Sequence, residues 1–218
     1  MSRNGIRAVC LADGAGSAAR AEFGAQQAVN SGCALMTEAA RELFEMSDAK
    51  VRSVVLTSLL TRLQECAQRL NCELGDLAAT FLAVAVFDES YLVVQVGDGV
   101  IGAEEGGRLV VLSGPDNGEF ANETVFLTSS RAEPSMRVVR GSTASVAGFI
   151  LMSDGAAESL HDQRANLLAR ACSKLMRIVA EGRGSGKSTD HEKQLRRIMG
   201  TVIRERTDDD CAIAILAR

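Results

Sequence analysis

Apolar residues along this chain follow two rhythms. Over residues 18–44 they recur every three or four places, at Ala25, Ala28/Val29, Gly32, Leu35/Met36, Ala39/Ala40 and Leu43. That spacing lays them on one face of a helix. Ser47 and Asp48 can cap a second helix, with an apolar face at Val55/Leu56, Leu59/Leu60, Leu63, Cys66/Ala67 and Leu70. Gly75 and Asp76 break that pattern. Two long helices joined by a short turn predict an antiparallel pair.

From residue 79 to about 152 the rhythm shortens. Runs rich in Val, Leu and Phe are punctuated by Gly, Asp, Asn and Pro, and predict strands at 80–87, 91–96, 100–103, 109–112, 124–127, 137–139 and 149–152. Asp88-Glu89-Ser90 reads as a hairpin turn, and residues 114–122 as a polar loop. A further short strand is expected at 6–12. After Asp154 the helical rhythm returns, with one face at Leu167/Leu168, Ala171/Cys172, Leu175 and Ile178/Val179. Another face is marked by Leu195, Ile198/Met199 and Val202/Ile203. Residues 181–189, rich in Gly and Ser, read as a connector. A last strand is expected at 211–216. Helices in pairs around a block of mostly antiparallel strands predict a layered α+β domain. No repeat or break divides it, so residues 1–218 are expected to form a single domain.

Four acidic islands punctuate this plan: Asp13-Gly14-Ala15-Gly16, Gly97-Asp98-Gly99, Ser153-Asp154-Gly155 and Asp208-Asp209-Asp210. The first three follow apolar runs and the fourth precedes one. An apolar run that stops at Asp-Gly reads as a buried strand turning at a carboxylate. A single Asp-Gly is ordinarily just a turn. Carboxylates from several strand ends can meet, and gathered carboxylates repel unless cations lie among them.

Composition narrows the chemistry. The 218 residues carry a net charge of -4, which argues against a nucleic-acid partner. No apolar run approaches the roughly 20 residues that span a bilayer, and the N-terminal residues lack a signal-peptide core. A cytoplasmic protein without a membrane partner is expected. Its six cysteines contain no CxxC pair and fall mostly in apolar stretches, so they read as small buried hydrophobes. Cys10 and Cys211 border the proposed carboxylates. The only histidines are His161 and His191, which leaves any metal site to oxygen ligands and favours Mg²⁺ or Mn²⁺ over zinc. Residues 182–188 mimic a phosphate-binding loop, but three residues rather than four separate Gly182 from Gly186, and the segment follows a helix. It reads as a basic linker.

As an ordered set, these islands resemble the metal-dependent protein phosphatases of type 2C, in their bacterial serine/threonine branch. The resemblance runs from Ile6 to Leu216. Asp13-Gly14-Ala15-Gly16 is similar to the family's first metal motif, Ala79-Thr80 to its Thr-containing strand start, and Gly97-Asp98-Gly99 to its hairpin motif. Ser153-Asp154-Gly155 resembles its Ser-Asp-Gly, and Asp208-Asp209-Asp210 its closing acid pair. The loop with Asn117-Gly118-Glu119 and Asn122-Glu123-Thr124 resembles the bacterial branch.

The resemblance implies a four-layer αββα sandwich: a central antiparallel β-sandwich flanked by paired antiparallel helices. It implies two metal ions, Mg²⁺ or Mn²⁺. Asp13 would bridge them, the Gly14 carbonyl would bind one, and Asp154 with a final Asp would hold the other. Asp209 matches that final acid by its spacing to the strand, with Asp208 as the alternative register. Asp98, Asp154 and Glu158 match a third, weaker site. Divalent ions screen phosphoryl oxygens and acidify bound water, so a water rather than a cysteine or serine would attack phosphorus. Asp13 and Asp154 are the candidate catalytic residues. The implied substrates are phosphoserine and phosphothreonine proteins, with a cognate Ser/Thr kinase as counterpart.

Two departures bear on this. The family's leading strand, with its phosphate-binding Arg, has no match, because Arg3 and Arg7 lie too close to Asp13. Its absence would weaken substrate and metal binding and expose a sheet edge. Ala15 stands where many relatives carry a His that protonates the leaving group. An alternative reading is therefore a weak or inactive phosphatase-like module that binds phosphoproteins or partners. A phosphatase of small phosphorylated molecules is a third.

Overall fold

The computed structural model describes residues 1–115, 124–182, 188–203, 207 and 209–218. Chain order is β1 (Ser2–Arg3), β2 (Ile6–Leu11), α1 (Ala21–Glu45), α2 (Asp48–Leu70), β3 (Phe81–Phe87), β4 (Ser90–Val96), β5 (Val100–Glu105) and β6 (Arg108–Ser113). There follow α3 (Ala132–Ser135), β7 (Arg137–Ser142), β8 (Val146–Met152), α4 (Asp154–Leu160), β9 (His161–Asp162), β10 (Leu167–Leu168), α5 (Ala171–Gly182), α6 (Ser188–Ile198) and β11 (Ile213–Ala217). Two compact units share these elements: Met1–Asp98 with Pro115–Thr143, and Gly99–Gly114 with Ala144–Arg218. Each unit draws on separated stretches of chain, so no single break in composition marks a boundary.

The first unit is a five-stranded antiparallel sheet, ordered β1-β2-β3-β4-β7, with α1 and α2 packed on it. Helix α1 buries Gly24, Ala28, Gly32, Met36, Ala40 and Leu43. Its glycines set how closely it approaches: a Cβ on Gly24 would lie 2.1 Å from the Leu77 carbonyl oxygen, and one on Gly32 2.3 Å from the Phe81 ring. Helix α2 starts where Ser47 accepts from the Lys50 N–H at 3.4 Å and ends at Asn71, whose left-handed φ of 51° closes the last turn. Arg140 on β7 donates to the Phe44 and Met46 carbonyls, at 2.8 and 2.7 Å, and to the Asp48 carboxylate. It thereby ties together the end of α1 and the start of α2. The first strand at the sheet edge is only two residues long and exposed.

In the second unit the antiparallel order is β11-β8-β5-β6. Helix α5 packs on β8 and β11, and α6 packs on α5. Ile150, Met152, Ala156, Leu160, Cys172, Leu175 and Met176 form its core. Gly106 and Gly107, both at positive φ, make the tight β5–β6 turn.

Several expectations change. Residues 124–127 form no strand; Leu127 attaches by one N–H to the Ala79 carbonyl at 2.9 Å, and Ser129 turns the chain by accepting from Phe126 N–H at 3.1 Å. Leu167 and Leu168 are not helical. They pair with β9 across a turn closed by Asn166 in the left-handed region and by Asp162, which accepts from Ala165 N–H at 3.0 Å. Helix α1 begins at Ala21 rather than residue 18, because Ala15 to Ala18 are taken up by a turn. Most of the 114–122 loop, residues 183–187 of the connector and phosphate-loop mimic, and Asp208 lie outside the described residues.

Candidate active site

The predicted site residues divide between the units. In the first, β2 delivers Asp13 just beyond its last residue, Leu11. Asp13 N–H donates to the Thr80 hydroxyl at 2.9 Å, and Thr80 N–H donates back to the Asp13 carbonyl at 2.8 Å. Ala15 N–H donates to Ala78 at 2.9 Å, and Gly14 bridges Ala79. The backbone of Asp13 is therefore locked from both sides, while its residue remains only half-buried. Thr80 is 4% exposed and holds a second motif: Gly97, at φ 109°, rests on it so closely that a Cβ would lie 2.7 Å from the Thr80 Cβ. Asp98 follows at once, and Thr124 donates to its carboxylate. Asp13, Gly14 and Asp98 thus share Thr80 and its neighbours as a common support.

Within the second unit, β8 ends at Met152 and α4 starts at Asp154. Ser153, 1% exposed, clamps the closing acids. Its hydroxyl donates to the Asp210 carbonyl at 3.2 Å and accepts from Ala212 N–H at 3.0 Å, and its own N–H donates to the Ala212 carbonyl at 3.0 Å. Gly155 packs on the same segment: a Cβ there would lie 2.6 Å from the Asp210 carbonyl oxygen and 3.1 Å from the Asp209 Cβ. Asp154 accepts from Gly155 N–H at 2.9 Å, and Asp209 from Asp210 N–H at 2.8 Å. The structure therefore brings Asp154 and Asp209 to one place although more than fifty residues separate them in sequence. Glu158 lies one turn further along α4 and is exposed.

Among the described residues, no three His, Cys, Asp or Glu side chains are grouped closely enough to hold an ion. The donor set is nonetheless all oxygen, carboxylates plus a main-chain carbonyl, which suits a hard divalent cation. Sequence reasoning missed two supports. Ser153 belongs to the Ser153-Asp154-Gly155 motif, but nothing in its surroundings marks the pairing with Asp210 and Ala212. The Thr124–Asp98 bond links residues too far apart for any local pattern to show.

The model of the family described as protein phosphatase 2C matches residues 2–204. The chain belongs to that family. Serine/threonine-protein phosphatase 3 of Escherichia coli K12 is 34% identical over 129 residues, 58% of this phosphatase 2C chain and 50% of that protein. The chain thus matches about half the length of this curated relative. The serine/threonine phosphatase of Staphylococcus aureus superposes with a TM-score of 0.64 at 15% identity, covering 99% of this chain and 85% of that one. The S. agalactiae serine/threonine phosphatase gives 0.61 at 15%, covering 100% and 90%. Identities this low establish the fold: α+β, with antiparallel sheets and packed helices, as in these bacterial phosphatases. Among the described residues, no helix is long and apolar enough to cross a membrane.

Proposed function

We propose that this phosphatase 2C chain acts as a single metal-dependent serine/threonine protein phosphatase domain, hydrolysing phosphomonoesters with an activated water. The observation that carries the reading is the family match over residues 2–204, supported by acidic motifs whose backbones are locked. Asp13, with the Gly14 carbonyl, and Asp154, with Asp209, would hold two Mg²⁺ or Mn²⁺ ions. Asp98, Asp154 and Glu158 would hold a third, weaker one. When bound, such ions offset phosphoryl charge and lower the pKa of water.

The chain's own residues supply order. Thr80 fixes the Asp13 backbone, so only the side chain of Asp13 is left to order when a ligand arrives. Ser153 and Gly155 do the same for Asp154 and Asp209. Backbone ordered in advance leaves less to fix as an anionic transition state forms. Ala15 has no proton to offer, so a leaving alcohol must take its proton from solvent, and esters of acidic alcohols should react fastest. We assign phosphoserine and phosphothreonine proteins as substrates, a cognate Ser/Thr kinase as counterpart, and a cytoplasmic location.

Hydrolysis of p-nitrophenyl phosphate with Mn²⁺, for wild type and Asp154→Asn, tests the reading. Turnover that requires metal and is lost in Asp154→Asn supports it. Absence of turnover at every Mn²⁺ concentration, with folded protein, would make the chain a phosphatase-like binding module instead. Phosphopeptide hydrolysis then separates protein from small-molecule substrates.

A further inference from the structure

We propose that Cys10 and Cys33 form a redox-responsive dithiol, which a peroxide joins into an intramolecular disulfide tying β2 to α1. Cys10 lies on β2, on the face that shares a core with Ala28 and Met36 of α1, and Cys33 packs against that core. Sheet register and the close approach of α1 set the two cysteines on facing elements of one core. Cys10 sits opposite Ala83 on β3, and the backbone of Gly32 rests on Phe81, two residues along that strand. The next residue of α1 is Cys33. Side-chain hydrogen bonding between the two thiols raises Cys10 and lowers Cys33, the sense expected when Cys10 keeps its proton and Cys33 gives its own up. All six cysteines are free thiols.

The pair is asymmetric in a useful way. Cys33 is half-buried, whereas Cys10 is 8% exposed. The bond from Cys10 holds the Cys33 thiol down at about 7, against the upward push of burial. The same bond, and then burial, push Cys10 well up. Burial raises Cys72, and pushes Cys172 to about 11. Near neutrality Cys33 is therefore the attacking thiolate and Cys10 its resolving partner. The Cys33 sulfur attacks one peroxide oxygen; an S–O bond forms, the O–O bond breaks, and the leaving hydroxide takes a proton and departs as water. The Cys10 sulfur then attacks the Cys33 sulfur. An S–S bond forms as S–O breaks, and the Cys10 proton leaves in a second water. Two thiols are oxidised, one peroxide is reduced, and the link lands on the strand that leads to Asp13.

The test treats the folded full chain with hydrogen peroxide, blocks remaining thiols with iodoacetamide after denaturation, and maps peptides without reduction. The expected result is loss of two of the six thiols. A Cys10–Cys33 peptide pair should appear, lighter by two hydrogens, and dithiothreitol should separate it. Cys33→Ser should keep every remaining thiol, Cys10 included. Cys10→Ser should leave a Cys33 sulfenic acid that dimedone traps. Wild type that keeps all six thiols, or that stops at a dimedone adduct on Cys33, overturns the proposal, as does an unchanged loss of two thiols in Cys33→Ser.

Discussion

Ser153→Ala removes one oxygen atom and should loosen one half of the candidate site. The hydroxyl makes two bonds across the chain, to the Asp210 carbonyl at 3.2 Å and from Ala212 N–H at 3.0 Å. Each such bond contributes about 0.5–1.5 kcal/mol net. Asp210 is exposed, so its carbonyl recovers a bond from water and contributes the lower figure. The Ala212 N–H is half-buried and recovers less. The expected loss is about 1–2 kcal/mol, a fall in Tm of roughly 2–8 °C for a chain of this size. Asp209 lies just before the released clamp. If ordering it again costs the same free energy, the Mn²⁺ concentration for half-maximal phosphatase activity rises by roughly tenfold. Thermal unfolding by circular dichroism and a Mn²⁺ titration of p-nitrophenyl phosphate turnover measure both effects. A Tm within about 1 °C of wild type, together with unchanged half-saturation, would show that the clamp orders nothing.

Gly32→Ala drives a methyl to 2.3 Å from the Phe81 ring and must lift α1 from its sheet; urea unfolding should register a loss of about 1–3 kcal/mol. Gly97→Ala adds a left-handed strain at φ 109° to a clash with Thr80, and should lower both the urea midpoint and Mn²⁺-dependent turnover. Arg41 forms a bidentate pair with Asp88, both bonds 3.0 Å, and that hydrogen bonding holds the carboxyl below its ordinary 3.8. A depressed folded-state pKa gives stability that is present above 3.8 and lost as pH falls through the folded value. Arg41→Met should therefore be less stable than wild type in urea unfolding at neutral pH, with the gap closing in acid; a gap that persists in acid would assign the effect to packing on Phe87 and to the bond from Arg41 to the Asn4 carbonyl instead.

Local pattern carried much of this fold because local physics decides it. The i, i+4 face of α2 from Val55 to Leu63 and the Ser47 cap follow from helix geometry alone. So does the β3–β4 turn at Asp88, where two apolar runs are split by residues that tolerate the left-handed region. Reading failed where a short apolar run had two fates. Leu167 and Leu168 fit a helix face, yet the Asn166 turn pairs them with β9. Thr124 to Leu127 has strand composition, but among the described residues its long-range backbone bonding is the one from Leu127 N–H to Ala79.

The candidate site divides along the same line. The sequence by itself determined which residues carry charge, because an Asp-Gly after an apolar run is a local signal of a strand ending at a carboxylate. Only the tertiary structure decided what holds those acids: Thr80 against Asp13, Thr124 on Asp98, and Ser153 with Gly155 against Asp209 and Asp210. These contacts join stretches tens of residues apart. They depend on strand register and on how closely two backbones approach, and neither is encoded in any short stretch of chain.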